Sequence, residues 1–202
     1  STVHTYGYGT GTVDKRYACN LYSDTVRVNG EIVRLENGDP LVYMPLAVEV
    51  NLTNSPYVKT AGARMAKYEV DPNAYNDGKS PDNDIVLFRY ADVLLMKAEA
   101  EVRNGEAGDA EMNAVRSRSG MGYRPATLDN ILAERLMELM WEGWRRNDLI
   151  RFDRFHRSYD QRTAPATEAD RHTIVFPIPA RVVDLNGKLV QNKGYEARPK
   201  SK

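Results

Sequence analysis

The chain has 202 residues, 42% of them apolar and 28% charged, with 28 basic residues against 28 acidic ones. That is enough chain to bury a core without a disulfide framework, and the charge balance leaves no global field for nucleic acid or for an anionic membrane surface. The single cysteine, Cys19, cannot close an internal disulfide and reads as a free buried thiol. Arg16 and Tyr17 stand where an apolar leader would have to precede a lipidated cysteine. No run of roughly 18 apolar residues is present to span a bilayer. The chain opens on Ser1-Thr2-Val3, without an initiator methionine or a signal peptide, as a fragment or trimmed product would.

Residues 1–84 read as a loop-rich, aromatic-rich segment. Gly7, Gly9 and Gly11 alternate with Tyr6, Tyr8 and Thr10, but with no helix following and no lysine partner they make no phosphate cradle. Val26 to Val33 around Asn29-Gly30 predicts a β-hairpin, because Asn-Gly supplies the positive φ angles of a tight turn. Leu41 to Leu52 contains Pro45 and fits at best an edge strand. From Asp84 the pattern turns helical. Asp84 is placed to cap a helix from Ile85, with an apolar stripe at Leu87, Ala91, Leu94, Ala98 and Val102. Asn104-Gly105 ends it. A second helix from Ala107 to Ser119 completes an antiparallel pair, 85–119, of tetratricopeptide type, and a lone pair leaves apolar surface for neighbours to cover. Thr127 caps a long third helix, 127–152, with Asp129 in its first turn. Residues 157–171 read as an exposed loop, Thr173 to Phe176 as a short strand ended by Pro177 and Pro179, and Ala180 to Leu185 as a helical turn before an irregular tail. The expected fold is mainly α, with extensive irregular loops and a few short strands, in two regions: 1–84, and a helical body 85–202.

The densest polar cluster, Glu134, Arg135, Glu138, Glu142, Arg145, Asp148 and Arg151, falls on the third helix. Glu134, Glu138 and Glu142 are four apart and share a face. Stacked carboxylates suit a metal or an acid–base pair, yet interleaved arginines lower carboxylate pKa values, opposite to what a general acid needs. The reading is therefore a structural ion-pair network, with no catalytic residue, no metal site and no cofactor. His4, His156 and His172 lack metal-ligand spacing. No nucleophile elbow or dinucleotide fingerprint occurs. Eight of the twelve tyrosines lie in residues 1–84. A tyrosine ring stacks on the C–H face of a sugar while its hydroxyl hydrogen-bonds, so Tyr6, Tyr8, Tyr43 and Tyr57 are the candidate ligand-binding residues. Trp141 and Trp144 read as core.

Several runs in the chain resemble one family in order. They are Arg89-Tyr90-Ala91-Asp92-Val93-Leu94-Leu95-Met96 with Ala98-Glu99-Ala100; Asn113-Ala114-Val115-Arg116-Ser117-Arg118-Ser119-Gly120; Glu134-Arg135 with Glu138-Leu139, Glu142-Gly143-Trp144-Arg145 and Asp148-Leu149-Ile150-Arg151; Phe176-Pro177-Ile178-Pro179; and Gln191-Asn192-Lys193-Gly194-Tyr195. Asp14-Lys15-Arg16-Tyr17 and Lys67-Tyr68 add shorter matches. Together they are similar to the SusD/RagB family of outer-membrane nutrient-binding lipoproteins, over residues 14–195. Arg146 and Lys193 depart from the family's Trp and Pro. The resemblance implies a carboxy-terminal portion of a longer, non-enzymatic protein on the cell surface, held there by a lipid anchor absent from this chain. It implies capture of an oligosaccharide or polysaccharide and delivery to a SusC-type TonB-dependent transporter, with no nucleic-acid partner. The alternatives are RagB-like peptide capture and a helical-repeat scaffold for protein partners.

Overall fold

The computed structural model describes residues 6, 12–47, 58–68, 71, 81–158 and 171–195. The chain divides into two compact units, residues 1–145 and 146–202.

In the first unit, three helices carry the core: α2 (Tyr90–Arg103), α3 (Asp109–Arg118) and α4 (Leu128–Glu138). Helix α2 packs on both α3 and α4. Leu95 and Ala98 from α2, Met112 and Val115 from α3, and Ile131 and Leu132 from α4 are buried. Apart from the smaller Ala98, these side chains contribute roughly 1.5–3 kcal/mol each when fully removed from water. Gly108, just before α3, lets the pair close. A Cβ there would stand 2.4 Å from the carbonyl oxygen of Ala98, so the approach is one that only glycine permits.

Two helix starts test the capping argument. Thr127 does cap α4, its hydroxyl accepting from the Asn130 amide at 3.2 Å. Asp84 does not cap α2. The helix begins at Tyr90, behind an extended Arg89 (φ −144°, ψ 159°), and Ile85, Leu87 and Phe88 are exposed rather than forming a buried stripe. The guanidinium of Arg89 is anchored on α4 and the turn after it, which holds this stretch of chain extended. The buried face of α2 consequently carries Asp92 and Glu99 alongside Leu95 and Ala98.

The expected single helix over 127–152 is two. Helix α4 ends at Glu138, and α5 (Arg145–Arg151) begins after a turn in which Trp141 (φ 68°) and Gly143 (φ 82°) are left-handed. The cause lies in who takes the last carbonyls. In a continuing helix the amides of residues 141 and 142 would bond the carbonyls of Met137 and Glu138. Instead Tyr6 and Asn20 donate to Met137 (2.7 and 3.2 Å), and Lys67 and Arg89 donate to Glu138 (2.6 and 2.5 Å). The Glu142 amide turns back to Leu139. Two cations at a helix C-terminus also match the sign of its dipole. Trp141 is half exposed as a result, not core, whereas Trp144 packs against Phe88 with ring centroids 5.6 Å apart.

The segment before α2 is not a separate layer. Helix α1 (Arg16–Asn20) lays Tyr17, with Leu21, against Tyr6 and Met137 in one buried cluster. Cys19 lies on the outer side of α1 and is exposed, contrary to the buried thiol expected. From α1 the chain runs into narrow antiparallel ribbons. The strands are β1 (Leu21–Tyr22), β2 (Asp24–Thr25), β3 (Arg27–Val28), β4 (Glu31–Ile32), β5 (Val42–Tyr43) and β6 (Arg64–Met65). They pair as β3 with β4, β2 with β5 and β1 with β6, each two-stranded. Asn29 (φ 50°) and Gly30 (φ 84°) form the tight turn between β3 and β4, as their sequence requires.

The second unit contains most of α5, a 3₁₀ turn (His172–Ile174) and α6 (Ala180–Leu185). The strand expected over Thr173–Phe176 is instead that turn followed by extended chain. Pro177 and Pro179 have no amide hydrogen for a ladder. The side-chain amide of Gln191 substitutes for a neighbouring strand, accepting from the Ile178 amide and donating to its carbonyl at 2.8 Å each, while Asn192 donates to Phe176 at 2.7 Å.

Candidate functional site

Helix α4 and the turn after it present three carboxylates to a set of cations gathered from distant parts of the first unit. Glu134, fully buried, accepts from Arg16 at 2.6 Å and from Arg116 at 2.8 Å. Glu138 accepts from Arg16 at 2.9 Å, Arg89 at 2.5 Å and Arg118 at 2.7 Å. Glu142 takes two bonds of 2.8 Å from Arg89 and pairs with Lys67. Arg16 is itself clamped by Asp14 at 2.6 Å. Arg135, on the adjoining face, reaches Asp92 of α2 at 2.8 Å, both side chains being buried. The partners differ from those the spacing suggested. The glutamates pair with Arg16, Lys67, Arg89, Arg116 and Arg118, not with arginines of their own helix. Arg145 donates to the Leu132 carbonyl at 3.0 Å, and in the second unit Asp148 pairs with Arg151 at 2.7 Å.

The electrostatics follow from this geometry. Burial works to raise the Glu138 pKa, but the hydrogen bond and charge of Arg89, the hydrogen bond from Arg16 and the charge of Arg118 outweigh it, holding the carboxyl below its ordinary range. Glu142 is likewise lowered: burial opposes, and Arg89 and Lys67 prevail. Arg16 and Arg89 are both raised, since their carboxylate partners overcome the burial that disfavours charge. Such groups stay ionised across the physiological range. They bind helices to one another and have no proton to exchange near neutral pH. Among the described residues no group of three potential ligands is placed to hold a metal ion, and no helix is long and apolar enough to cross a membrane.

The four candidate tyrosines fare differently. Tyr6 is fully buried, its hydroxyl donating to the Met137 carbonyl at 2.7 Å and accepting from Asn20 at 2.9 Å; burial pushes its pKa up to about 12. A ring enclosed on both faces cannot stack on a ligand, so Tyr6 is corrected from binding residue to core residue. The sequence signal for the error is visible afterwards: an aromatic amid glycines looks like an open loop whether or not its ring is tucked in. Tyr43, on β5, is half-buried with the Arg64 guanidinium 4.7 Å above its ring. Tyr8 and Tyr57 lie outside the described residues.

Comparison with known proteins places this architecture. The model of the SusD family matches residues 14–195. The starch-binding protein SusD of Bacteroides thetaiotaomicron is 31% identical over 150 residues, which is 68% of this chain and 27% of that protein. The chain thus spans about a quarter of the length of the curated relatives it matches. Among solved structures, B. fragilis NanU is 25% identical with a TM-score of 0.57, covering 91% of this chain and 37% of NanU. Surface glycan-binding protein A from Bacteroides uniformis, at 21% identity, shares the fold with a TM-score of 0.63 over 94% of this chain and 40% of its own. The family match runs from Asp14, which clamps Arg16, to the Gly194-Tyr195 turn, and takes in each charged pair described above; the chain belongs to the SusD family.

Proposed function

We propose that this chain is part of a cell-surface binder that captures a glycan without cleaving it and passes it to a SusC-type TonB-dependent transporter in the outer membrane. The observation that carries the reading is the family match over residues 14–195, joined to a relative whose name states that it binds starch. The charged cluster supports the non-catalytic part. Cleaving a glycosidic bond requires a carboxyl with a raised pKa beside an ionised one, and Glu138 and Glu142 are both paired with cations that hold their pKa values down. A lipid anchor and the transporter contact belong to the same proposal.

The test is calorimetry of the full-length protein against a panel of neutral and acidic polysaccharides, with the mixtures then chromatographed for products. Saturable binding to at least one polysaccharide with no shortening of the polymer is the expected result. Binding to peptides with none to any polysaccharide would replace glycan capture by peptide capture. Product formation that Glu138→Gln abolishes would overturn the non-catalytic reading.

A further inference from the structure

The ribbons before α2 close into a circuit. Strand β1 runs almost directly into β2, which pairs with β5. Met44, the residue after β5, bridges to Ala61, and Ala61 leads into β6, which pairs back with β1. The circuit gathers four side chains. Tyr22 stands opposite Arg64 in the β1–β6 pair, and Asp24 stands opposite Tyr43 in the β2–β5 pair. Residues directly opposite in an antiparallel pair project from the same side, with Cβ atoms about 4.5–5.5 Å apart. The Arg64 guanidinium joins the two pairs, lying 4.7 Å from the centroid of the Tyr43 ring. Leu21, beside Tyr22 on β1, is in the buried Tyr6 cluster, and successive strand residues point to opposite faces. Tyr22 is therefore turned away from the core, and it is 54% exposed. Arg64 is not available to a ligand, since it donates to the carbonyls of Ala61 and, at 3.3 Å, Lys59. Those bonds fix it as a prop against Tyr43. Asp24 is exposed, with the Ser23 hydroxyl donating to its carboxylate at 3.3 Å. The two tyrosines also differ from the core tyrosine. The Tyr6 hydroxyl makes two buried hydrogen bonds, whereas among the described residues those of Tyr22 and Tyr43 have no partner.

We propose that this face of the ribbons is a glycan-contact site, and that its ligand is an uncharged pyranose unit. Tyr22 takes the apolar C–H face of the ring. The Tyr43 hydroxyl and the Asp24 carboxylate hydrogen-bond its hydroxyl groups, a carboxylate oxygen having lone pairs for more than one donor. Arg64 is a positioning residue that holds the Tyr43 ring in place by its flat face. A uronate or a sulfate ester would bring a second negative charge up to Asp24, so the site selects neutral polymers. This rests on the glycan-capture reading and names the surface and the class of sugar.

The experiment is calorimetry of the full-length protein against amylopectin, galactomannan and xyloglucan, with polygalacturonate as the acidic member. At least one neutral polymer should bind about tenfold or more tightly than polygalacturonate. Against that polymer Tyr22→Ala should weaken binding about fivefold or more, and Tyr22→Phe, which keeps the ring, less than about twofold. Asp24 is left-handed (φ 59°), a conformation asparagine also adopts, so Asp24→Asn tests the carboxylate without disturbing the turn. It should weaken binding about threefold or more. Arg64→Lys keeps the charge and loses the flat face over Tyr43. It should weaken binding about threefold with the urea unfolding midpoint unmoved, a separation that a purely structural role would not produce. Tyr123→Ala, which removes another exposed aromatic ring (73% exposed), should change affinity less than about twofold. Equal losses in Tyr22→Ala and Tyr123→Ala, or an affinity that Asp24→Asn leaves unchanged, overturns the site while leaving glycan capture standing. Polygalacturonate binding as tightly as the neutral polymers overturns the selection of uncharged sugar. Binding to none of the four, nor to any other polysaccharide, overturns the site and glycan capture together.

Discussion

Glu134→Gln is the sharpest probe of the ion-pair frame. The substitution preserves shape and removes one charge from a residue whose side chain is wholly buried between two buried guanidiniums, those of Arg16 and Arg116 (7% and 6% exposed). Removing one partner of a buried pair costs roughly 3–5 kcal/mol, chiefly because the other charge is left in a low-dielectric site. Here the two arginines are not equally stranded. Arg16 keeps Asp14 and Glu138, whereas Arg116 keeps the Gly122 carbonyl at 3.0 Å, a neutral acceptor. The loss is therefore set by Arg116, at about 3 kcal/mol. Glu138→Gln should cost less, about 2 kcal/mol, although Glu138 has more partners. Arg89 retains Glu142, and Arg118 is 61% exposed and can turn to water. Urea unfolding of the full-length protein followed by circular dichroism measures both. With a slope of about 2 kcal/mol per molar, Glu134→Gln should lower the midpoint by about 1.5 M and Glu138→Gln by about 1 M. A shift below about 0.3 M for Glu134→Gln, or a reversed order, would refute the reasoning.

Three further outcomes follow from the same frame. Glu138 and Glu142 have folded-state pKa values below their unfolded ones, so the stability they confer is present above the unfolded value of about 4.3 and is lost as pH falls through the folded values. Unfolding midpoints should hold steady through neutral pH and decline below about pH 4.3, and Glu138→Gln should flatten that decline. Tyr6→Phe removes the donor to Met137 and the acceptor for Asn20 inside a closed cluster, and should cost about 1–2 kcal/mol in the same urea assay without altering ligand affinity. A loss of affinity at unchanged stability would return Tyr6 to the binding surface. Gly108→Ala should destabilise by more than the usual helix-propensity gain can offset, because its Cβ meets the Ala98 backbone at 2.4 Å; thermal unfolding at or above the wild-type midpoint would show that the helix pair can part more easily than its packing suggests.

What the sequence made legible was local. The Asn29-Gly30 turn, the Thr127 cap and the glycine stop at Gly105 each depend on residues a few positions apart, and the structure has them where the sequence does. The composition also carried the charged cluster on α4. What it did not carry was the partners, because Arg16 arrives on the short helix α1 and Lys67 and Arg89 on irregular chain, whose paths no periodicity records. The same ignorance produced the overlong third helix. Leu139 and Met140 continue the apolar stripe, and only the side chains of Tyr6, Asn20, Lys67 and Arg89 seizing the last carbonyls reveal that the helix stops. Asp84 failed as a cap for a related reason, since a distant ion pair fixed Arg89 in extended chain.

The ribbon region enters and leaves the helical body at nearly one place. Asn20, just before β1, donates to Met137, and Lys67, just after β6, donates to Glu138. The Ala66 amide donates to the Asn20 carbonyl at 2.9 Å, closing the neck between them. A segment clamped at both ends in this way is a socketed attachment. Lengthening what hangs from it costs little beyond loop closure, about 0.6 kcal/mol for each doubling in length, and does not disturb the charges on α4. Grafting an unrelated hairpin between residues 22 and 62, which keeps Ala63 against the Tyr6 cluster, should thus leave the helical body's unfolding midpoint in place, which makes the neck a natural point at which one frame could be fitted with different surfaces.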